Sequence, residues 1–162
     1  MVKLSLVISN QGGNIMGYRR LFIMRKDLNM SPGKLAAQVA HCAEAYWTNM
    51  MRNGVEVAWL HGPDVGAYNI NFEIEMNIYN NYVNASFTKT ICGAKNKYQL
   101  LKAKTMAEEL GLRENVDFGL IYDNCLTELT PEEENGTCLT GIWFAPLPDE
   151  IAHQISKKYQ LL

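Results

Sequence analysis

The chain has 162 residues, of which 48% are hydrophobic and 20% are charged, and its formal net charge is −2 at pH 7. These values describe one soluble globular domain, and a chain of this size buries about two-thirds of its unfolded surface without help from a metal or disulfide bonds. The near-neutral charge excludes a protein that coats nucleic acid through bulk charge, so any RNA binding must come from particular residues.

The cysteines point to ordinary thiols rather than to a metal or redox site. No two of them form a Cys-x-x-Cys pair, and none has a spacing to histidine that would close around zinc. They are Cys42, Cys92, Cys125 and Cys138. Buried thiols are typical of a reducing compartment. No apolar stretch approaches membrane-spanning length. The apolar run at residues 2–9 is too short for a signal peptide. We therefore expect a cytoplasmic protein that has no metal and does not contact a membrane.

The N-terminal region predicts an extension followed by one domain. Residues 1–18 contain a short apolar run, which could add an edge strand, and then a stretch rich in Gly and Asn that is typical of a flexible join. Residues 19–162 form the predicted domain. Its first element is a buried strand over residues 20–24, RLFIM.

A helix follows this strand after a short turn. Ser31 and Pro32 suit the N-cap and first helical positions, and apolar residues then recur every three or four positions until Asn53-Gly54. On another stripe of this helix, the residues at i, i+4 and i+7 are polar, and they are Lys34, Gln38 and His41. They fit either a solvated face or an anion site in which Lys34 lies beside the positive end of the helix.

The remaining pattern predicts an α/β domain. Residues 70–83 are ambiguous, because alternation fits a strand as far as Tyr79 while a spacing of three to four fits the helix that we favour. The order of elements predicts a small sheet with helices on both faces. The other predicted elements are a loop over 55–69, a strand over 87–92, a helix over 100–110 ended by Gly111, strands over 117–122 and 138–144, and a helix over 148–159.

Candidate site residues also lie in the C-terminal half. Asp123 directly follows a buried strand, where open α/β sheets place ligand crevices, although aspartate is equally common there as a turn former. Thr127 and Thr140 add hydroxyl groups. We expect the acidic run at residues 132–134 to be a solvated loop tip. The chain contains no G-x-S-x-G, H-E-x-x-H or dinucleotide-binding fingerprint.

Two stretches resemble the type II peptidyl-tRNA hydrolases. Residues 25–43, RKDLNMSPGKLAAQVAHCA, resemble the first-helix signature of that family, and the similarity extends over residues 20–162 apart from an enlarged region at 55–69. The matching residues of the first signature are Arg25, Asp27, Met30, Gly33, Lys34, Ala36, Ala37, Gln38 and His41. Those of the second signature, with extra residues allowed in the acidic loop, are Asp123, Thr127, Thr140 and Pro146.

The resemblance implies a fold, a reaction and partners. It implies an α/β fold with a four-stranded mixed sheet, and hydrolysis of the ester between a peptide and the 3′ end of its tRNA without metal or cofactor. Peptidyl-tRNA is then the partner, DNA and membranes are not, and a homodimer stays open because the family is often dimeric.

The resemblance also implies residue roles. Lys34 would bind the tRNA backbone or the developing oxyanion, and Asp123 would orient or activate water. Thr127 and Thr140 would be hydrogen-bonding partners. Gln38, His41 and Arg25 would support this group or bind substrate, with His41 as general base left open.

Departures from the family pattern leave a second function open. Pro32 and Gly93 stand where the family usually has Lys, and Asp123-Asn124-Cys125-Leu126-Thr127 lacks the usual glycine and basic residue. The alternative is a non-catalytic RNA- or protein-binding module, and a metal or thiol enzyme is a distant third. The alternative gains if no other lysine reaches the pocket of Lys34 and Asp123; the candidates are Lys89, Lys95 and Lys97.

Overall fold

A computed structural model describes residues 17–52, 55–57 and 67–162. Its strands are β1 (Tyr18–Arg25), β2 (Val55–Val57), β3 (Ala67–Asn69), β4 (Thr88–Ala94), β5 (Phe118–Asp123), β6 (Cys138–Phe144), β7 (Leu147–Pro148) and β8 (Gln160–Leu161). Its α-helices are α1 (Pro32–Met51), α2 (Met76–Ile78), α3 (Lys97–Glu109) and α4 (Asp149–Ser156), and a π-helix spans Tyr79–Ser86.

The main sheet is mixed and has six strands. Its order is β5-β6-β1-β4-β8, and β7 pairs with β1. Because β1 and β4 are parallel and β6 is antiparallel to both β1 and β5, strands β1, β4 and β5 run in the same direction. Their C-terminal ends therefore lie at the same end of the sheet. The prediction of four strands is therefore wrong by two, since the two-residue strands β7 and β8 are too short to show an alternating pattern.

Helices cover both faces of this sheet, as predicted. Successive side chains of a strand point to opposite faces, so β1 contributes to two separate cores. On one face α3 and α4 pack against the sheet, in a core that includes Leu21, Ile23, Leu100, Ala103 and Ile155. On the other face α1 packs against the sheet, in a core that includes Phe22, Met24, Cys42, Tyr46 and Trp143.

Helix α1 is fixed at its start and at its middle. Ser31 caps it, since its hydroxyl accepts a hydrogen bond from the Lys34 N–H, and Pro32 is its first residue. The buried Arg20 of β1 holds the middle: its Nη2 donates to the Cys42 carbonyl at 2.9 Å and its Nη1 donates to the Ala43 carbonyl. These contacts fix the helix that carries the candidate site against the sheet.

Three predicted elements differ in the structure. Strands β2 and β3 pair antiparallel at the two ends of the predicted 55–69 loop, so that prediction is wrong there, and residues 58–66 lie outside the described part of the chain. The predicted helix over 70–83 begins at Met76 and continues as the π-helix, while 70–75 have no regular structure. The last helix ends at Ser156, before β8.

The remaining predictions concern the N-terminal strand, the end of α3 and membrane spanning. The predicted edge strand at residues 2–9 lies outside the described residues. Gly111 follows the end of α3 with a φ of 79°, which confirms its predicted place. In the described ranges, no helix combines the length and apolar character needed to cross a membrane.

Candidate active site

A cleft of about 610 Å³ lies between α1 and β5, and the candidate residues meet at one end of it. Lys34 and His41 line it from α1, whereas Asp123 and Thr127 line it from the end of β5 and the loop that follows. The structure therefore brings Lys34, Asp123 and Thr127 together, as the roles implied by the resemblance require. The two groups are brought together because α1 packs over β5 and β6.

An ion pair forms the centre of this end of the cleft. The ammonium Nζ of Lys34 lies 2.7 Å from Oδ2 of Asp123 and donates to the Thr127 hydroxyl at 3.2 Å. The two charged side chains are only 14% and 10% exposed. Their attraction is therefore screened less than that of an exposed surface pair.

A buried amide fixes the orientation of Asp123. Because a carboxylate only accepts, the Gln38 side chain presents its nitrogen, and Nε2 donates to Asp123 Oδ2 at 2.7 Å. The Gln38 carbonyl oxygen then accepts from the Thr140 hydroxyl, also at 2.7 Å. Gln38 and Thr140 are almost wholly buried. They hold Asp123 in place rather than face the open cleft.

Hydrogen bonds keep Asp123 ionised. Partial burial acts to raise the pKa of its carboxyl, but hydrogen bonds from Lys34, the Cys125 N–H and Gln38 outweigh it, and the pKa lies below the usual aspartate value. The Cys125 N–H reaches Oδ1 at 2.9 Å. Cys125 has a φ of 54°, in the left-handed region, a backbone conformation that favours glycine.

His41 and Arg25 lie in contrasting places. His41 is exposed on α1 and lines the cleft. Arg25 is buried outside the cleft lining, and its Nε and Nη2 bind Asp27 while Nη1 and Nη2 bind Glu132. Nη1 also donates to the Leu139 carbonyl at 3.0 Å, so all five N–H groups of the guanidinium have an acceptor.

The acidic loop is solvated as predicted at Glu134, but Glu132 and Glu133 form ion pairs that the prediction did not include. A hydrogen bond from Arg25 holds the pKa of Glu132 below its usual range, and Glu133 pairs with Lys97 at 2.5 Å. Burial acts to lower the pKa of Arg25, but its bonds to the two acids outweigh burial and raise it. Arg25 thus ties the loop before β6 to the end of β1.

Glu128 is a residue that the sequence analysis missed. Its carboxylate accepts from the Ser31 N–H at 2.5 Å and from the Ser31 hydroxyl at 2.6 Å. The anion position expected at the start of α1 therefore holds a carboxylate of the chain itself. No local pattern could have revealed this contact, because its partners are 97 residues apart in sequence.

The cations of the cleft are few in the described residues. Lys34 and Arg52 line it, whereas Lys89, Lys95 and Lys97 do not. The side chain of Lys26 lies over Gly93, where a Cβ atom would come within 2.5 Å of Lys26 Cδ. Among the residues of known placement, no group of three or more His, Cys, Asp or Glu side chains is arranged to hold a metal.

The chain is similar in sequence to known proteins over almost its whole described length. A family model described as peptidyl-tRNA hydrolase PTH2 matches residues 18–162. A peptidyl-tRNA hydrolase of Thermococcus sibiricus is 30% identical over 145 residues, which cover 90% of this chain and 98% of that protein. One of Thermococcus onnurineus is 28% identical over 147 residues, with coverages of 90% and 98%. One of Thermoplasma acidophilum is 25% identical over 144 residues, with coverages of 89% and 97%.

The matched region contains every candidate residue, from Arg25 to Thr140, together with α1 and all the strands of the main sheet. Each pairwise match covers nearly the whole length of the relative concerned. The chain belongs to the peptidyl-tRNA hydrolase PTH2 family.

Proposed function

We propose that this protein hydrolyses the ester that joins a peptide to the 3′ end of tRNA. The observation that carries the proposal is the partly shielded group of Lys34, Asp123 and Thr127 at the end of an open cleft. Family membership suggests the same reaction. The reaction is acyl transfer to water, which needs an oriented water and stabilisation of the charge that develops on the carbonyl oxygen.

Lys34 is suited to stabilise negative charge. Two of its three N–H donors are accounted for by Asp123 and Thr127. The third can donate to the ester carbonyl oxygen or to the phosphate nearest the tRNA end. In a partly shielded site such a charge-assisted bond is stronger than one in open water.

Asp123 is suited to orient water rather than to remove its proton. Its lowered pKa makes the carboxylate a weak base near neutral pH. Oδ1 accepts one hydrogen bond from Cys125 and has lone-pair capacity for a water molecule, next to the Thr127 hydroxyl. His41, which lines the same cleft, stays the candidate general base. Gln38 and Thr140 act as positioning residues.

A second function is a binding module on the same fold, for RNA or for another protein. It is favoured by the absence of Lys89, Lys95 and Lys97 from the described lining of the cleft, and by Glu128 at the start of α1. In this case the Lys34 and Asp123 pair would bind without turnover.

The cytoplasmic location, the homodimer and the separate extension at residues 1–18 stay predictions.

Hydrolysis of N-acetyl-aminoacyl-tRNA by the purified protein separates the two functions. We expect release of the N-acetylated amino acid, with free aminoacyl-tRNA cleaved much more slowly in the parallel control. Tight binding of tRNA without any release, at physiological salt and with folded protein, would contradict the hydrolase and favour the binding module.

A further inference from the structure

The cleft continues well beyond the Lys34 and Asp123 pair. From Lys34 to Arg52 it follows α1 over 18 residues, which is about 27 Å of helix. We call its far part the distal arm. The distal arm is lined by Glu44, Ala45, Thr48 and Asn49 of α1, by Arg52 directly after that helix, by Asn115, and by Leu120 and Ile121 of β5.

The wall opposite α1 is the edge of a sheet. Strand β5 is the last strand of the sheet order, and within the described residues it pairs with β6 and, at Phe118 alone, forms an isolated bridge to Glu114 on its other edge. The cleft touches four consecutive residues of β5, 120–123. Since successive side chains point to opposite faces, a cavity that meets four in a row meets the strand along its edge, where backbone N–H and C=O groups are available.

The charges of the distal arm do not suit a phosphate backbone. Glu44 and Arg52 cancel each other, and Leu120 and Ile121 add an apolar surface. The other end of the cleft instead holds the Lys34 ammonium, whose spare donor can bind the phosphate nearest the tRNA end. A substrate whose ester lies at Lys34 and Asp123 must send its tRNA and its peptide in different directions, so the neutral arm fits the peptide.

We propose that the peptide of the substrate lies in the distal arm as an extended chain, paired through its backbone with the free edge of β5. This inference rests on the proposed function. Backbone pairing is independent of side chains, which suits an enzyme whose substrates carry peptides of any sequence. The cleft from Lys34 to Arg52 is about 27 Å long and holds about eight extended residues, of which about the last three or four lie in the arm.

The test compares substrates that differ in peptide length. Hydrolysis of N-acetyl-aminoacyl-tRNA and of octapeptidyl-tRNA is measured for the wild type, for Asn49→Trp, which fills the arm, and for Met51→Trp. Met51 is an exposed residue of the same helix outside the cleft lining, so it is the matched control. The Kd values of uncleavable RNA minihelices carrying the same two acyl groups in amide linkage are measured alongside.

The wild type is expected to favour the octapeptide by about tenfold or more in kcat/KM and in Kd, the effect of one or two backbone hydrogen bonds. Asn49→Trp should reduce this ratio towards one, and Met51→Trp should retain it. Methylating single peptide nitrogens should weaken binding at alternate positions, because only every second N–H of an extended chain faces its neighbour.

The outcomes separate the two proposals. Equal rates and equal Kd values for both lengths in the wild type would overturn the peptide site, even if both substrates are cleaved. A retained preference in a folded Asn49→Trp variant would place the peptide elsewhere. Length-dependent binding without any cleavage would overturn the hydrolase and keep the peptide site.

Discussion

Two cation-centred groups lie near the C-terminal ends of β1 and β5, and they differ in how many of the cation's N–H donors have an acceptor. Arg25, at the end of β1, is buried and has an acceptor for each of its five N–H groups. Lys34, at the start of α1, lies in a cleft with two of its three donors accounted for. A saturated guanidinium holds parts of the chain together, whereas an ammonium with a spare donor can bind a ligand.

The comparison also shows what the first signature contains. Arg25 and Lys34 belong to one continuous stretch, yet the first ties the acidic loop to the sheet and the second faces the cleft. The matching residues of such a signature therefore need not share a role. Variants of the two cations should separate loss of stability from loss of activity.

The largest expected effect on activity is at the Lys34 and Asp123 pair. Lys34→Ala and Asp123→Asn should each lower kcat/KM for N-acetyl-aminoacyl-tRNA by roughly tenfold to a thousandfold, because each removes charge from the reacting centre. The melting temperature should change by no more than about 4 °C. Lys102→Ala, which removes an exposed lysine from α3 on the other face of the sheet, is the matched control. Unchanged activity in either site variant rejects the role of that residue.

The buried Arg25 should affect stability instead of activity. Arg25→Ala should lower the free energy of unfolding by about 2–4 kcal/mol, since it removes a buried cation from two carboxylates that are themselves a third exposed. Urea denaturation measures the loss, with Glu134→Gln in the same loop as control. A folded Arg25→Ala protein of unchanged stability would contradict the role of Arg25 in holding parts of the chain together.

This loss should depend on pH in a defined direction. Arg25 holds the pKa of Glu132 below its ordinary value of 4.5, so the stabilisation is complete above that pH. It is lost as the pH falls through the lower pKa of the folded state. The wild type and Arg25→Ala should therefore converge in stability under acid conditions.

A smaller effect is expected from the buried amide. Gln38 donates to the charged form of Asp123, so Gln38→Ala should raise the pKa of that carboxyl and move the acid limb of the kcat/KM profile to higher pH. We expect a loss of about tenfold near neutral pH from poorer orientation. Gln154→Ala on α4 is the control. An unshifted acid limb would show that Asp123 does not set it.

The smallest effect is expected at Gly93. Three strand spacings, about 14 Å, separate β4 from β5, and Lys26 already lies over this glycine. Gly93→Lys should therefore tighten tRNA binding only a few-fold at low salt and less at physiological salt. Gly93→Ala adds the same Cβ without charge, so it isolates the effect of the ammonium. Equal binding by both variants would show that a cation here adds nothing.

The sequence predicts local features of the fold well and contacts between distant segments poorly. Helix α1 could be predicted because Ser31, Pro32 and the apolar spacing all lie within it. The resemblance brought Lys34 and Asp123 together, but nothing local indicates that Gln38 lies between Asp123 and Thr140, which are 85 and 102 residues away from it. Glu128 and Glu132 were missed for the same reason. Each binds a residue about a hundred positions earlier.

Glu128 makes the start of α1 selective by competition within one molecule. Its carboxylate is tethered beside the Ser31 N–H and hydroxyl, so its effective concentration there is of millimolar order or above. An external anion must therefore compete with this carboxylate for the same two donors. We expect a polyanion that also engages Lys34 to compete better than a free phosphate, because its remaining contacts compensate for the displacement.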